Sequence, residues 1–420
     1  MPVDLAVLGL GRLGLPAARA ATTAGIGTVG YDPDADTVAE LGAGRPPAGG
    51  GLSAAEVRRM LSAGFRATRD PAVLSRVRTA LICAPTPPGE DGAPDLGAVR
   101  AAALALGEHL RPRTTVVVES AVRPGGTEEY VAPLLERASG LRAGHDFHLA
   151  CAPPRLDPGN RAHGYANTPR VIGGLTPACT EAAAAFYGRL TEKVVRARGL
   201  REAEMTAVLE TNFRHVNIAL VNEMAVLCHD LGVDLWDVLR CAETKPFGFL
   251  PFRPGPGVGG HGLPVDPARL DRGERTSDCP LRLVGAALEA NARMPRYVAH
   301  RAAALLNEHG KSARGARVLL LGVTYKADLA DRTGSPAPEI ARRLLDLGAR
   351  IGYHDPHVPR WEVAGRPVPR ADSLYESAAA ADLTLLLQHH RVYDLQSLSA
   401  KAQLLLDTRG ASPAGAAHRL

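Results

Sequence analysis

Apolar and polar positions alternate in short blocks along this chain. Residues 3–8 form a brief, mostly apolar run of the kind a buried parallel strand presents. Ala17–Thr23 has helix-forming composition, and a second short strand, Thr28–Tyr31, ends at Asp32. Further strands are expected at 79–87, running into a proline loop, at 114–122 and at 147–155. The pattern then changes. Residues 203–232 contain no glycine or proline before Gly232, which predicts one long helix stopped by that glycine. It exceeds most globular helices in length, so it is expected to bridge two domains. A second helical stretch covers 281–309. From Ala316 the short blocks return, with strands at 316–328, 350–356, 381–390 and 402–410 and a helix at 336–349 ended by Gly348. The glycine- and proline-rich residues 42–51 read as a loop, and no internal repeat is visible.

This order defines an α/β fold with two Rossmann-like doubly wound parallel-sheet domains joined by a long central helix. The expected divisions are an N-terminal domain at 1–200, a central helical domain at 201–300 carrying a glycine loop at 254–267, and a C-terminal domain at 310–420.

A length of 420 residues suits two or three domains rather than one core. The formal charge of +5 suits anionic small molecules and is too sparse for a nucleic-acid surface. None of the six cysteines forms a C-x-x-C pair, so neither a zinc site nor a disulfide framework is indicated, and no metal is expected. Reduced thiols in the cytoplasm are the default reading. Cys83, Cys151 and Cys241 are expected to be packed thiols. No signal peptide and no bilayer-spanning apolar run is seen.

Candidate chemistry begins at Gly9, Gly11 and Gly14, a G-x-G-x-x-G that follows a strand, encloses Arg12 and Leu13, and opens a helix. Gly9 permits the tight turn, Gly11 lets a pyrophosphate approach the backbone, and Gly14 allows close helix–strand packing. Asp32, roughly 20 residues on, is placed to bind a ribose 2′-hydroxyl and to repel a 2′-phosphate, favouring NAD over NADP. A glycine turn without ligand is the alternative. The stretch PGPGVGGHGLPVDP, 254–267, has the composition of a loop closing on a ligand. Lys326 and Arg409 lie at the ends of expected parallel strands, where ligands of open sheets sit, and suit a diphosphate. Solvated charges are the alternative for each.

These motifs, with APTP (84–87), ESAVRPGGT (119–127), PRVIGG (169–174), AEM (203–205), NFRHVNIALVNE (212–223), GVTYKAD (322–328), YHDPHVP (353–359) and LLDTRG (405–410), resemble the UDP-glucose/GDP-mannose dehydrogenase family, the nucleotide-sugar 6-dehydrogenases. Within the family the chain resembles the UDP-N-acetylmannosamine dehydrogenase branch. The resemblance implies a cytoplasmic homodimer built through the central domain, with the nucleotide held by the C-terminal domain and the ligand in the cleft between the α/β domains. It implies that Pro85, Thr86 and Ser120 join the cofactor residues. It implies that Arg155, Arg214, Asn217, Gly257, Gly259, Gly260, His261 and Tyr325 join Lys326 and Arg409 around a nucleotide sugar. Family members oxidise a sugar C6 alcohol twice, through a cysteine thiohemiacetal and a thioester, to an acid.

The chain departs from the family where that covalent chemistry is done. The cysteine of the family's G-G-H-C is Gly262 here, the glutamate of C-P-E-R is Pro154, and the lysine of A-E-M-x-K-L is Ala207. The asparagine four residues further on is Thr211, with Asn212 adjacent, and the E-S-T threonine is Ala121. The arginine of R-E-S-P is Thr333, beside Arg332, while Asp266 survives. The cofactor motifs are intact, so NAD binding is expected to be used and the four-electron reaction is not. A single two-electron oxidation is the leading reading: a secondary C6 alcohol to a ketone, as in a nucleotide octose of antibiotic biosynthesis, or a primary alcohol to the aldehyde. Asp266, Thr211, Asn212 and His215 are the candidate catalytic residues. The alternative for His215 is an exposed helix histidine. An NAD-retaining epimerase, showing no net NADH, and a non-catalytic NAD or nucleotide-sugar binder are the competing readings.

Overall fold

The computed structural model describes residues 4–420 except 48–49, 88, 90–93, 161 and 261–280. The described residues cluster into two compact units that part between Glu210 and Thr211, inside the helix Leu200–Asp230.

The first unit is built on eight strands: β1 Leu5–Leu8, β2 Thr28–Tyr31, β3 Arg66–Thr68, β4 Thr79–Ile82, β5 Thr115–Val118, β6 His148–Cys151, β7 Arg170–Gly174 and β8 Val194–Arg196. Their order across the sheet is β3-β2-β1-β4-β5-β6-β7-β8. β1, β4 and β5 are buried at every position, because helices cover both faces. Period-2 alternation then sends Leu5, Val7, Leu81 and Val117 into one apolar cluster. Ala6, Leu8, Ala80, Ile82, Val116 and Val118 go into the other. One pair departs from the all-parallel expectation: β6 and β7 run antiparallel. The strands β3, β7 and β8 had no counterpart in the sequence reading. β3 and β8 have three residues each and lie partly exposed, and β7 reads RVIGG, with a leading arginine and two glycines that hide its burial.

Arg170 is tolerated in that buried strand because a polar cluster surrounds it. Glu119, fully buried, faces Arg170 at 3.4 Å. The hydroxyls of Tyr165 and Tyr187 both donate to Glu119 Oε1 at 2.5 Å. The Arg170 guanidinium lies over the Tyr165 ring, 3.9 Å from its centre. Burial pushes both phenols well above their usual range, so both remain O–H donors.

The second unit contains the rest of the long helix, the helix Arg282–Glu308 and a five-stranded parallel sheet. Its strands are β9 Arg317–Leu321, β10 Arg350–His354, β13 Leu383–Leu386, β14 Leu405–Asp407 and β15 His418–Arg419, in the order β10-β9-β13-β14-β15. A small antiparallel pair, β11 Glu362–Val363 and β12 Arg366–Pro367, lies apart from it. Val318 and Leu320 face one core, Leu319 and Leu321 the other. The long helix ends as read: Gly232 is left-handed at φ +68, and Val233 N–H donates to the Cys228 carbonyl at 2.8 Å. Cys83 and Cys151 are buried thiols, but Cys241 is exposed on the helix Leu235–Ala242, not packed as expected, because it falls on that helix's solvent face with Arg240.

Arg170→Met would leave Glu119 buried without its counter-charge. Denaturant unfolding of this variant is expected to show a loss of about 3–5 kcal/mol, the range for breaking a buried pair from one side.

Candidate functional site

The glycine turn at the end of β1 is shaped by contacts that exclude a side chain. Gly9 has φ +94, and a Cβ there would meet the backbone of Cys83 and Ala84 at 3.0 Å. A Cβ on Gly14 would sit 1.9 Å from the Gly9 carbonyl oxygen. A Cβ on Gly11 would meet nothing within 4 Å, so this position opens onto free space at the start of the helix Gly14–Thr23. Arg12 and Leu13, half-buried, lead into that helix, while Pro85 is exposed and Thr86 half-buried just beyond β4. Asp32 closes the turn: its Oδ2 accepts the Leu10 N–H at 2.8 Å and its Oδ1 the Asp34 N–H at 3.0 Å. Open space at a helix N-terminus, beside a carboxylate held by backbone donors, fits a dinucleotide pyrophosphate and ribose. Ser120 lies at the same strand ends. It is buried, and its hydroxyl donates to the Ala84 carbonyl at 2.7 Å, tying the ends of β4 and β5.

The second unit repeats this construction. Gly322 (φ +74) follows β9 as Gly9 follows β1, and its N–H donates to His354 as Gly9 donates to Tyr31. Asp355 Oδ2 accepts the Val323 N–H at 2.8 Å and Oδ1 the His357 N–H at 2.8 Å. Here, however, a buried histidine occupies the remaining valence. His390 Nδ1 accepts the Asp328 N–H at 2.9 Å, so its Nε2 carries the proton and donates to Asp355 at 3.1 Å. Among the described residues, Asp328, His357 and His390 form the one cluster with metal-ligand spacing. Both His390 nitrogens are already spent, which makes the cluster a hydrogen-bonded lock rather than a cation site.

The glycine loop packs onto this unit. Gly260 N–H donates to the Thr333 carbonyl at 2.8 Å. A Cβ on Gly259 would meet the Gly334 carbonyl oxygen at 2.6 Å and Tyr325 Cβ at 2.8 Å, and one on Gly260 (φ +99) would meet the Tyr325 ring at 2.9 Å. Gly257 (φ +143) lies against Pro336 and Pro295. A Cβ on Gly255 would come within 3.0 Å of the Arg409 guanidinium. Arg409 is held by the Leu387 carbonyl at its Nε (2.7 Å) and by Asp407 at its backbone N–H. Next to it, Gly410 lies flat against the Trp236 ring. Burial lowers the Arg409 guanidinium to about 10, still cationic at neutral pH. Among the described residues it forms no side-chain ion pair, and nearby Asp407 acts to keep it protonated. Lys326, on the same loop as Tyr325, already has an interaction partner.

The structure brings Gly255, Gly257, Gly259, Gly260, Tyr325 and Arg409 together. His261, Gly262 and Asp266 lie outside the described residues. Arg155 forms a two-pronged pair with Glu210 (2.7 and 3.2 Å) and donates to the Pro169 carbonyl (2.6 Å), fastening the loop after β6 to the long helix. Arg214 is exposed, and Asn217 donates back to the Phe213 carbonyl at 2.7 Å. Thr211 is half-buried and Asn212 buried. His215 is only 2 % exposed, which overturns the exposed-histidine alternative. It sits against Asn291 of the helix Arg282–Glu308, a partner that no sequence motif singled out. Glu204, also missed, accepts N–H bonds from Gly125 (2.6 Å) and Thr127 (2.9 Å) and pins the ESAVRPGGT turn to the start of the long helix. Its burial raises its carboxyl above the usual range.

Two Rossmann-like units, the first with an open glycine crevice and acidic ribose position, define a dinucleotide-dependent dehydrogenase. The chain belongs to the UDP-glucose/GDP-mannose dehydrogenase family. It matches that family's NAD binding domain over residues 3–191, its central domain over 201–293 and its UDP binding domain over 319–413. NAD is its cofactor. It is 33% identical over 361 residues to a UDP-N-acetyl-D-glucosamine 6-dehydrogenase of Pseudomonas aeruginosa, covering 85% of this chain and 83% of that one. It is 32% identical over 355 residues to a UDP-N-acetyl-D-mannosamine dehydrogenase of Pyrococcus horikoshii, covering 84% of each. The solved structure of the Pyrococcus horikoshii UDP-D-ManNAc dehydrogenase superposes with a TM-score of 0.85 at 30% identity, over 98% of this chain and 97% of that one. A UDP-glucose dehydrogenase from Pyrobaculum islandicum superposes with a TM-score of 0.85 at 27% identity, over 100% and 97%. No helix among the described residues is long and apolar enough to cross a membrane.

Two binding measurements follow from this geometry. Asp32→Ser is expected to weaken NAD binding by about ten- to a hundredfold, the worth of a hydrogen bond to a charged group, and to narrow the gap to NADP. Gly259→Ala, which forces apart the Gly334 and Tyr325 contacts, is expected to weaken UDP binding about tenfold, since overpacking costs ~1–3 kcal/mol, and to leave NAD binding unchanged.

Proposed function

We propose that the protein performs one two-electron oxidation of a nucleotide-activated sugar and stops at the carbonyl. The observation that carries this reading is the pattern of substitution. Gly262, Pro154 and Ala207 stand where the family has the trapping cysteine, the hydrolytic glutamate and the oxyanion lysine, while the glycine turn and Asp32 are intact. Without a thiol no thiohemiacetal forms, so an aldehyde cannot proceed to a thioester. A secondary alcohol suits this site best, because its ketone has no further oxidation to make. The small residues Ala121, Ala207, Thr211 and Gly262 suit a sugar extended beyond C6, such as a nucleotide octose of antibiotic biosynthesis.

NAD supplies the hydride acceptor for this step. The chain's own residues hold the substrate and manage its proton. Arg409, with Lys326 and Tyr325 beside the glycine loop, is assigned to the nucleotide diphosphate. Asp266 is assigned to receive the hydroxyl proton, directly or through a water. Thr211, Asn212 and His215, on successive turns of the long helix, are assigned to the sugar. The homodimer reading rests on large apolar side chains exposed along one helix: Met205, Leu209, Phe213, Leu220 and Leu227, with Leu209 67% exposed. Assignment to the cytoplasm rests on the five described cysteines, all free thiols.

Product analysis tests the proposal. Incubated with NAD⁺ and a panel of nucleotide sugars, C6-extended ones included, the protein is expected to yield one NADH per sugar and a product lighter by two hydrogens. Two NADH and an acid would overturn it. Product formed without net NADH would assign an epimerase instead.

A further inference from the structure

A polarised chain of hydrogen bonds runs through the second unit from the glycine loop to His215. It starts at a group whose direction is beyond doubt, because a backbone N–H only donates. Gly255 N–H donates to Asn222 Oδ1 at 2.9 Å. This fixes the Asn222 amide, whose Nδ2 donates to Asn291 Oδ1 at 2.8 Å. The Asn291 amide is fixed in turn, and its Nδ2 faces His215 Nε2 at 3.3 Å and the His215 carbonyl at 3.1 Å. His215 Nε2 is therefore an acceptor, and the imidazole proton resides on Nδ1. That Nδ1 is buried and has no hydrogen-bond partner among the described residues. The Oδ1 of buried Asn212, three residues earlier on the same helix, is likewise unpartnered. Pro295, one turn beyond Asn291, has no N–H to return to the Asn291 carbonyl, so the helix is locally loosened where the relay crosses it.

An unpartnered buried donor is costly unless a ligand completes it. We propose that His215 is a neutral N–H donor to an oxygen of the bound sugar, and that Asn291 and Asn222 are positioning residues that set its tautomer from the glycine loop. The inference rests on the nucleotide-sugar reading above. It removes His215 from consideration as a general base, since Nε2 is occupied and Nδ1 already carries its proton. It gives the site a donor on the helix face from which the family's lysine is missing at Ala207. It also couples ligand contact at Gly255 to the imidazole two side chains away. Asn212 Oδ1 complements the donor, so that a hydroxyl, which both gives and takes a hydrogen bond, is the group this pair recognises.

The tautomer is read directly by ¹⁵N NMR of histidine-labelled protein. A protonated Nδ1 and an unprotonated Nε2 are expected for His215 at neutral pH; an Nε2–H tautomer or an imidazolium overturns the proposal. Asn291→Asp, which presents an acceptor to Nε2, is expected to move the proton to Nε2. Calorimetry with UDP-N-acetylmannosamine and with UDP alone then separates donor from scaffold. His215→Phe and Asn291→Asp are expected to weaken the sugar nucleotide about tenfold and UDP hardly at all. Equal losses for the two ligands, or none, overturn the donor role. A failure of the oxidation itself would appear in the NADH assay and leave the tautomer measurement standing.

Discussion

Much of this structure depends on one hydrogen bond made twice: a carboxylate at the end of the second strand accepts the N–H two residues beyond the first strand. Asp32 holds Leu10, and Asp355 holds Val323. In each unit this bond fixes the sharp exit of the chain at a left-handed glycine, Gly9 or Gly322, where the adjacent strand's backbone leaves no room for a side chain. The turn must be fixed for the following segment to present backbone donors at the sheet's carboxyl edge. The two copies then diverge. Asp32 is bonded by backbone donors, whereas Asp355 is also bonded by buried His390 and serves its own loop. One construction thus provides a cofactor crevice in the first unit and a rigid support for the glycine loop in the second.

The described polar groups along the long helix are organised and mostly satisfied within each unit. Glu204 is held by two backbone donors, and Asn222 and Asn291 complete one another. A buried polar network of this kind is stable only when each donor meets an acceptor. Two of the buried atoms left without a partner among the described residues, His215 Nδ1 and Asn212 Oδ1, lie on this helix.

The fold was legible because its signals are local. Continuous apolar runs marked β1, β2, β4 and β5, and the spacing of Gly9, Gly11, Gly14 and Asp32 marked the turn, since each glycine answers to a steric demand within a few residues. The long helix and its stop at Gly232 were equally visible. β7 was not, because a buried arginine and two glycines mask a strand unless Glu119, Tyr165 and Tyr187 are known to surround it. β3 and β8 were too short and too exposed to carry a pattern.

The sequence by itself determined the two Rossmann-like units, the cofactor and the family. Only the tertiary structure decided which polar side chains are spent and which are available. It set Arg155 against Glu210 and Ser120 against the Ala84 carbonyl, buried His215, and paired it with Asn291, 76 positions away along the chain. The physical reason is that a side chain's proton and charge state depend on partners brought near by packing, and residue spacing along a chain carries no record of those partners.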